Sequence, residues 1–189
     1  MTRPSAFAMS CRRLAKRLRA RGISGSAAIE FAMVAPVLFL FIFGTIETGV
    51  IFFAQTMLQN ATADTARQIR TGQLSGTLTA SQIRNNVCGE VNGLITNCTA
   101  GLMVDLRAYT SFTGASYPSV SNADGSINTG ALTVQATSDC AIVLLRTFYA
   151  WKIMTPLMTP FLQTGSTGTS ILTSSAAFRT EPYSSSSTC

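Results

Sequence analysis

Histidine is absent from all 189 residues, and charge is scarce: lysine, arginine, aspartate and glutamate together make up 12%. The first absence removes His-based catalytic triads, together with the commonest general base and the commonest metal ligand. That argues against hydrolases and zinc enzymes, and no other nucleophile–base constellation takes their place. A C-x-x-C pair is also lacking, so no metal and no cofactor is expected. The scarcity of charge is a second exclusion. An ordinary soluble domain carries roughly a quarter of its residues as charges. Half that share, with a mean hydropathy of +0.30, directs attention to a membrane segment.

The charge that is present is unevenly placed. The formal net charge is +6, but residues 1–25 hold Arg3, Arg12, Arg13, Lys16, Arg17, Arg19 and Arg21 and no acid. The remainder holds seven basic and eight acidic residues, a net of −1. A basic tail can neutralise phosphates and so bind nucleic acid. This one abuts an apolar run, where positive charge sets the orientation of a membrane span instead; no nucleic-acid partner is expected.

The apolar run FAMVAPVLFLFIFGTI begins at Phe31 and meets no charge until Glu47. Counted from Ala27 to Ile46 it is 20 residues long, with Glu30 near its start. A helix of that length covers about 30 Å, the thickness of a bilayer core. Glu47 falls at the far interface, where a carboxylate meets water. Pro36 would cost about 3 kcal/mol inside a soluble helix but is better tolerated as a kink in a membrane helix. Beyond the run, Ala54, Met57, Leu58, Ala61, Thr65 and Ile69 recur at intervals of three and four, with polar residues opposite. That amphipathic pattern extends the helix to about Thr71, with Gly72 as its stop. One helix of about forty residues is thus expected to begin in the membrane and end as the spine of an external domain.

After a Ser/Thr/Gly linker, Ser81–Val87 is expected to be a short helix capped by Thr79 or Ser81. Four strand-like runs follow: Leu102–Tyr109, Ala131–Thr137, Ala141–Trp151 and Ser170–Phe178. Residues 113–129, rich in Ser, Gly, Asn and Pro, form a long loop, and Met154–Leu162, with two prolines, is at best a broken helical turn. The plan is α+β: an antiparallel sheet of about four strands laid against the amphipathic half of the helix. It divides the chain into a basic leader (1–25), a transmembrane and spine helix (26–72), an external α+β domain (73–183) and a flexible tail (184–189). Cys11 lies in the leader. Cys88, Cys98, Cys140 and Cys189 are external, and four cysteines allow three pairings. Cys88 and Cys98 flank a Gly/Asn-containing segment and are expected to close a small loop, which leaves Cys140 with Cys189; free thiols are the alternative.

The stretch RGISGSAAIEFAMVAPVLF, followed by a helix ending AQTMLQNATADTARQIRTGQ, resembles TadE/TadF-like minor pilins (pseudopilins) of the tight-adherence (Tad/Flp) pilus. GLMVDLRAYTSF, CAIVLLRTFYAWKIMTPLM and SSAAFRTEPY resemble the same family, so the likeness touches most of residues 22–183. The resemblance implies that a prepilin peptidase cuts between Gly25 and Ser26, placing Glu30 fifth and Phe31 sixth in the mature chain; counted from Gly22, Glu30 would be eighth. It further implies a bacterial inner-membrane protein with its N-terminus cytoplasmic and its C-terminal domain periplasmic, with the extracellular pilus as a second location after cleavage. The implied partners are the peptidase, other pilin and pseudopilin subunits, an inner-membrane assembly platform and the lipid bilayer. An uncleaved single-pass scaffold of the pilus assembly machinery is the alternative role. Glu30 also has a physical reading. A carboxylate in the first turns of the helix can pair with a neighbouring subunit's amine, and such a pair in low dielectric rewards correct register. The bland alternative is an acid that complements the helix N-terminus.

Overall fold

The computed structural model describes residues 6–74, 78–91, 93, 95–165 and 167–182, of which 6–24 are described through their backbone alone. The first element, α1, spans Ala6–Arg70 without a break, and Pro36 is accommodated within it. It starts earlier than the apolar run requires and is longer than the expected forty residues, because the basic stretch before Gly25 is itself free of proline from Ser5 onward and rich in good helix formers. The chain divides into two units, with the boundary between Thr45 and Ile46, inside α1.

In the first unit the helix carries its large apolar side chains outward. Phe31 is 63%, Met33 76% and Phe41 70% exposed. The Phe39 and Phe43 rings stack one turn apart, their centroids separated by 5.9 Å. Gly25–Arg70 is the one described helix long and apolar enough to cross a membrane, and it is compatible with a single-pass anchor.

In the second unit the rest of α1 packs on a three-stranded antiparallel sheet in the order β1 (Leu102–Tyr109), β2 (Ile142–Lys152), β3 (Thr169–Arg179). Ala54, Leu58, Ala61, Thr65 and Ile69 of the helix are buried, as their spacing requires. They share a core with Leu102, Val104 and Leu106 of β1, Val143 and Leu145 of β2, and Leu172 of β3. Thr62, also buried, pairs its hydroxyl with that of Thr147 on β2 at 2.8 Å. The alternate residues of β1 and β2, Asp105 and Arg146 among them, face the other side of the sheet. There the long connection between those strands covers them. Central strand β2 is therefore buried on both faces, which is why its sequence is a nearly continuous apolar run rather than an alternation.

Two short helices lie between the spine and β1. α2 (Ala80–Glu90) begins at Thr79, whose hydroxyl accepts from the Gln82 amide while the Gln82 side chain accepts from the Thr79 amide. Ile83 and Val87 are its buried stripe. α3 (Cys98–Gly101) is a single turn leading into β1. The disulfide Cys88–Cys98, with a Cα separation of 5.7 Å, ties the two together. Gly72, at φ 75, ends the spine in the left-handed region, as expected of a glycine stop.

The sheet has three strands, not about four. Ala131–Thr137 forms only an isolated bridge, Leu106 to Val134. The Leu106 amide donates to the Thr133 carbonyl at 2.7 Å, and the Gln135 amide donates back to the Leu106 carbonyl at 2.9 Å. Pairing ends there because neighbouring groups bond to side chains: the Thr133 amide donates to the Asp105 carboxylate and the Ala108 amide to the Gln135 side chain. On the opposite edge the Gln55 side chain bonds both backbone groups of Thr173, donating to its carbonyl at 2.6 Å and accepting from its amide at 3.2 Å. Residues 154–162 form a 3₁₀ turn, Pro156–Met158, followed by α4 (Thr159–Leu162), which matches the broken helical turn expected from the two prolines.

Candidate functional site

The residues singled out for processing and assembly lie within two turns of α1. Gly25 has open space where a side chain would be. Ser26 and Glu30 are one turn apart, and the Ser26 hydroxyl donates to the Glu30 carboxylate at 3.2 Å. Both are exposed, as is Phe31. The helix thus brings Ser26 and Glu30 together on one stripe and sets Phe31 beside them. Helical periodicity makes this contact, since residues four apart are neighbours on the helix surface. The geometry offers an acceptor carboxylate at the start of the apolar run, adjacent to the atom that would become an amine if the chain were cut before Ser26.

Among the external cysteines, Cys88 is joined to Cys98. Cys140 is also disulfide-bonded, and Cys189, its expected partner, lies outside the described residues. Cys11 lies among the residues described through backbone alone. Among the described residues, no group of three or more cysteines, aspartates or glutamates is placed to hold a metal ion.

Two charged sites were not legible in the sequence. The first is Glu47. Expected in water at a membrane interface, it is 3% exposed and accepts hydrogen bonds from the backbone amides of Met154 and of Thr155, the latter at 3.0 Å. The amides it takes are those a chain leaves unpaired as it leaves a strand for a turn. A signal was present: Glu47 falls on the same helical stripe as Ala54, Leu58, Ala61 and Thr65.

The second is Asp105, fully buried opposite the equally buried Arg146 in the β1–β2 register. Arg146 donates to one carboxylate oxygen through Nε (2.9 Å) and Nη2 (2.6 Å), and Arg107 Nε donates to the same oxygen at 3.0 Å. The other oxygen accepts from the Thr133 amide at 2.9 Å. Burial disfavours the charged carboxylate, but the Thr133 amide and the two guanidinium groups outweigh it, and the Asp105 pKa lies below its ordinary value of 3.8. The cluster reaches outward as well. Arg146 donates to the Pro118 carbonyl and lies over the Tyr117 ring at 4.6 Å, while Arg107 donates to the Ala131 carbonyl. It therefore bolts both ends of the long loop to the sheet. A cleft of about 450 Å³ opens beside it, and Arg146 is the one charged residue lining it. That guanidinium is committed to Asp105 and Pro118, so among the described lining residues no further ionic group is offered to a ligand.

Residues 25–67 match the family model of TadE-like proteins. The matched segment holds every processing and assembly residue named above and the whole apolar run. It supports a protein associated with the tight-adherence pilus. No curated protein and no solved structure matches the chain.

Proposed function

From a TadE-like helix that carries a folded sheet at its far end, we propose that this chain is a minor pilin (pseudopilin) acting in the biogenesis, priming or tip of a Tad-type adhesion pilus. The observation that carries this reading is the TadE-like match over residues 25–67, which spans the Gly25–Ser26 junction, Glu30 and Phe31. On this reading residues 1–25 are a cytoplasmic leader, 26–72 the transmembrane and spine helix, 73–183 a periplasmic domain and 184–189 a tail. A prepilin peptidase cuts after Gly25. The seven leader charges, each worth roughly 1 kcal/mol near an anionic membrane surface, leave with it, and the subunit becomes free to leave the inner membrane. The Ser26 amine of one subunit then pairs with the Glu30 carboxylate of another, a match that is costly to leave unmade in low dielectric. The remaining partners are other pilin subunits and the assembly platform.

N-terminal sequencing of the membrane-extracted protein tests the processing step, with Ser26 expected as the first residue. Gly25→Leu should accumulate a longer precursor; no neighbouring atom obstructs the new side chain, so misfolding would not explain the result. Glu30→Ala should be cut normally and yet fail to support piliation, and wild-type pilus numbers in that strain would remove the assembly role. A second reading, an uncleaved scaffold of the assembly machinery, draws support from the unbroken helix through Gly25. An intact leader in cells with working peptidase would favour it.

A further inference from the structure

Past the 20-residue apolar run, α1 carries no charge from Thr48 to Ala63, and Glu47 is consumed by its two backbone partners. Six apolar side chains stay exposed in this part of the second unit: Ile46 (57%), Phe52 (68%), Phe53 (58%), Met154 (69%), Leu157 (71%) and Phe161 (81%). The first three are on the helix. At about 100° per residue, Phe52 and Phe53 point away from the stripe that packs on the sheet, and Ile46 lies on its flank. The other three are on the turn that follows β2, and Glu47, which lies on the packed stripe, holds that turn beside the helix. Apolar side chains are thus exposed on the helix's free side and on its sheet side at the same level.

We infer that this belt is a bilayer-contact surface, and that the turn Met154–Leu162 is an interfacial foot which seats the sheet unit in the lipid headgroup layer. The inference rests on the membrane-held state proposed above. Three observations select lipid over a protein partner. A protein covers one face, whereas the exposed residues of the helix and those of the turn lie on opposite sides of α1. Its position follows the span directly: the belt starts at Ile46, the last residue of the 20-residue apolar run, so its lower part falls within the polar layer of a leaflet, about 5–8 Å deep. Its charge fits too, because residues 153–178 carry no charge and the flanking Lys152 is exposed and positive, suited to anionic headgroups.

The full chain, reconstituted in vesicles of zwitterionic and anionic phospholipid, carries the test. Phe161→Trp adds one indole at an exposed position while Trp151, 9% exposed, supplies a constant background. Phe41→Trp reports separately on the span. The added emission at 161 should be mostly lost with lipids brominated near the headgroup and largely kept in aqueous iodide. Loss to iodide at 161, with position 41 quenched by deep brominated lipid, would overturn the foot and leave the anchor standing. Shielding from both quenchers, with cross-linked dimers, would assign the belt to a second copy of the chain and equally overturn the inference. Loss to iodide at both positions would remove the membrane-held reading and the foot with it.

Discussion

Helix α1 is one element in two different environments. From Phe31 to Phe43 its large apolar side chains are exposed, with Leu40 half-buried and only the small Ala35 buried; from Ala54 to Ile69 they form one buried stripe against the sheet. The residue classes overlap, but the periodicity does not. Where the hydrophobicity is continuous, the helix has no polar face, and it is long and apolar enough to cross a membrane. Where it recurs every three or four residues, the helix has a wet face and a packed face. The same side chain therefore has opposite consequences in the two stretches, and matched substitutions in the full chain, melted in detergent, separate them.

The largest contrast is expected between the acids. Asp105→Asn leaves Arg146 buried without its charge partner and should cost about 3–5 kcal/mol, whereas Glu30→Gln, exposed at the start of the run, should leave the melting of the sheet unit unchanged. The pH dependence has a definite sign. Because the folded state lowers the Asp105 pKa below 3.8, the carboxylate stabilises the fold above that pH and the contribution is lost as pH falls through the folded value. The acid limb should flatten in Asp105→Asn; an unaltered limb would mean the cluster is not what acid breaks.

Next come the apolar pairs. Leu58→Ala opens a cavity in the core and should cost about 2–5 kcal/mol, while Phe41→Ala should leave the melt in place. Equal losses would erase the distinction between the two stretches. Joint Cys88→Ser and Cys98→Ser should cost about 3 kcal/mol by freeing a short loop of the unfolded chain, with mass mapping of the unreduced protein as the check on the native bond. The smallest contrast is between hydroxyls. Thr62→Val strands the buried Thr147 hydroxyl and should cost about 1–2 kcal/mol. Thr45→Val, which removes only an exposed bond to the Phe41 carbonyl, should be silent.

Much of this architecture was legible in the sequence. β1 runs over the expected residues, and β2 and β3 depart from their expected bounds by one residue at either end, because each is a strand-like run bounded by polar or turn-forming segments. The spine stripe and its glycine stop were legible for the same reason: periodicity is local information. What was not legible depends on pairing across the chain. Asp105 is one polar residue within a strand-like run, and only the β1–β2 register places it opposite Arg146. Glu47 looked like an interfacial acid, because nothing near it in sequence reveals that amides more than a hundred residues later need an acceptor. The fourth strand was read from β-branched residues at 131–137, but its backbone groups are taken by side chains. The proposed processing junction rests on a pattern of glycine, small residues and acid, and the contact between Ser26 and Glu30 follows from helix geometry alone.

The glutamines at the two margins of the sheet carry a consequence for crowding. A chain held beside many copies of itself risks templated growth, in which an open strand recruits its counterpart from the next molecule and the process repeats. Here Gln55 occupies both backbone groups of Thr173 on one margin, and Gln135 occupies the Ala108 amide on the other while its own amide bonds Leu106. Side-chain amides stand where a neighbour's backbone would dock. Runaway stacking by strand exchange is thereby obstructed at those positions.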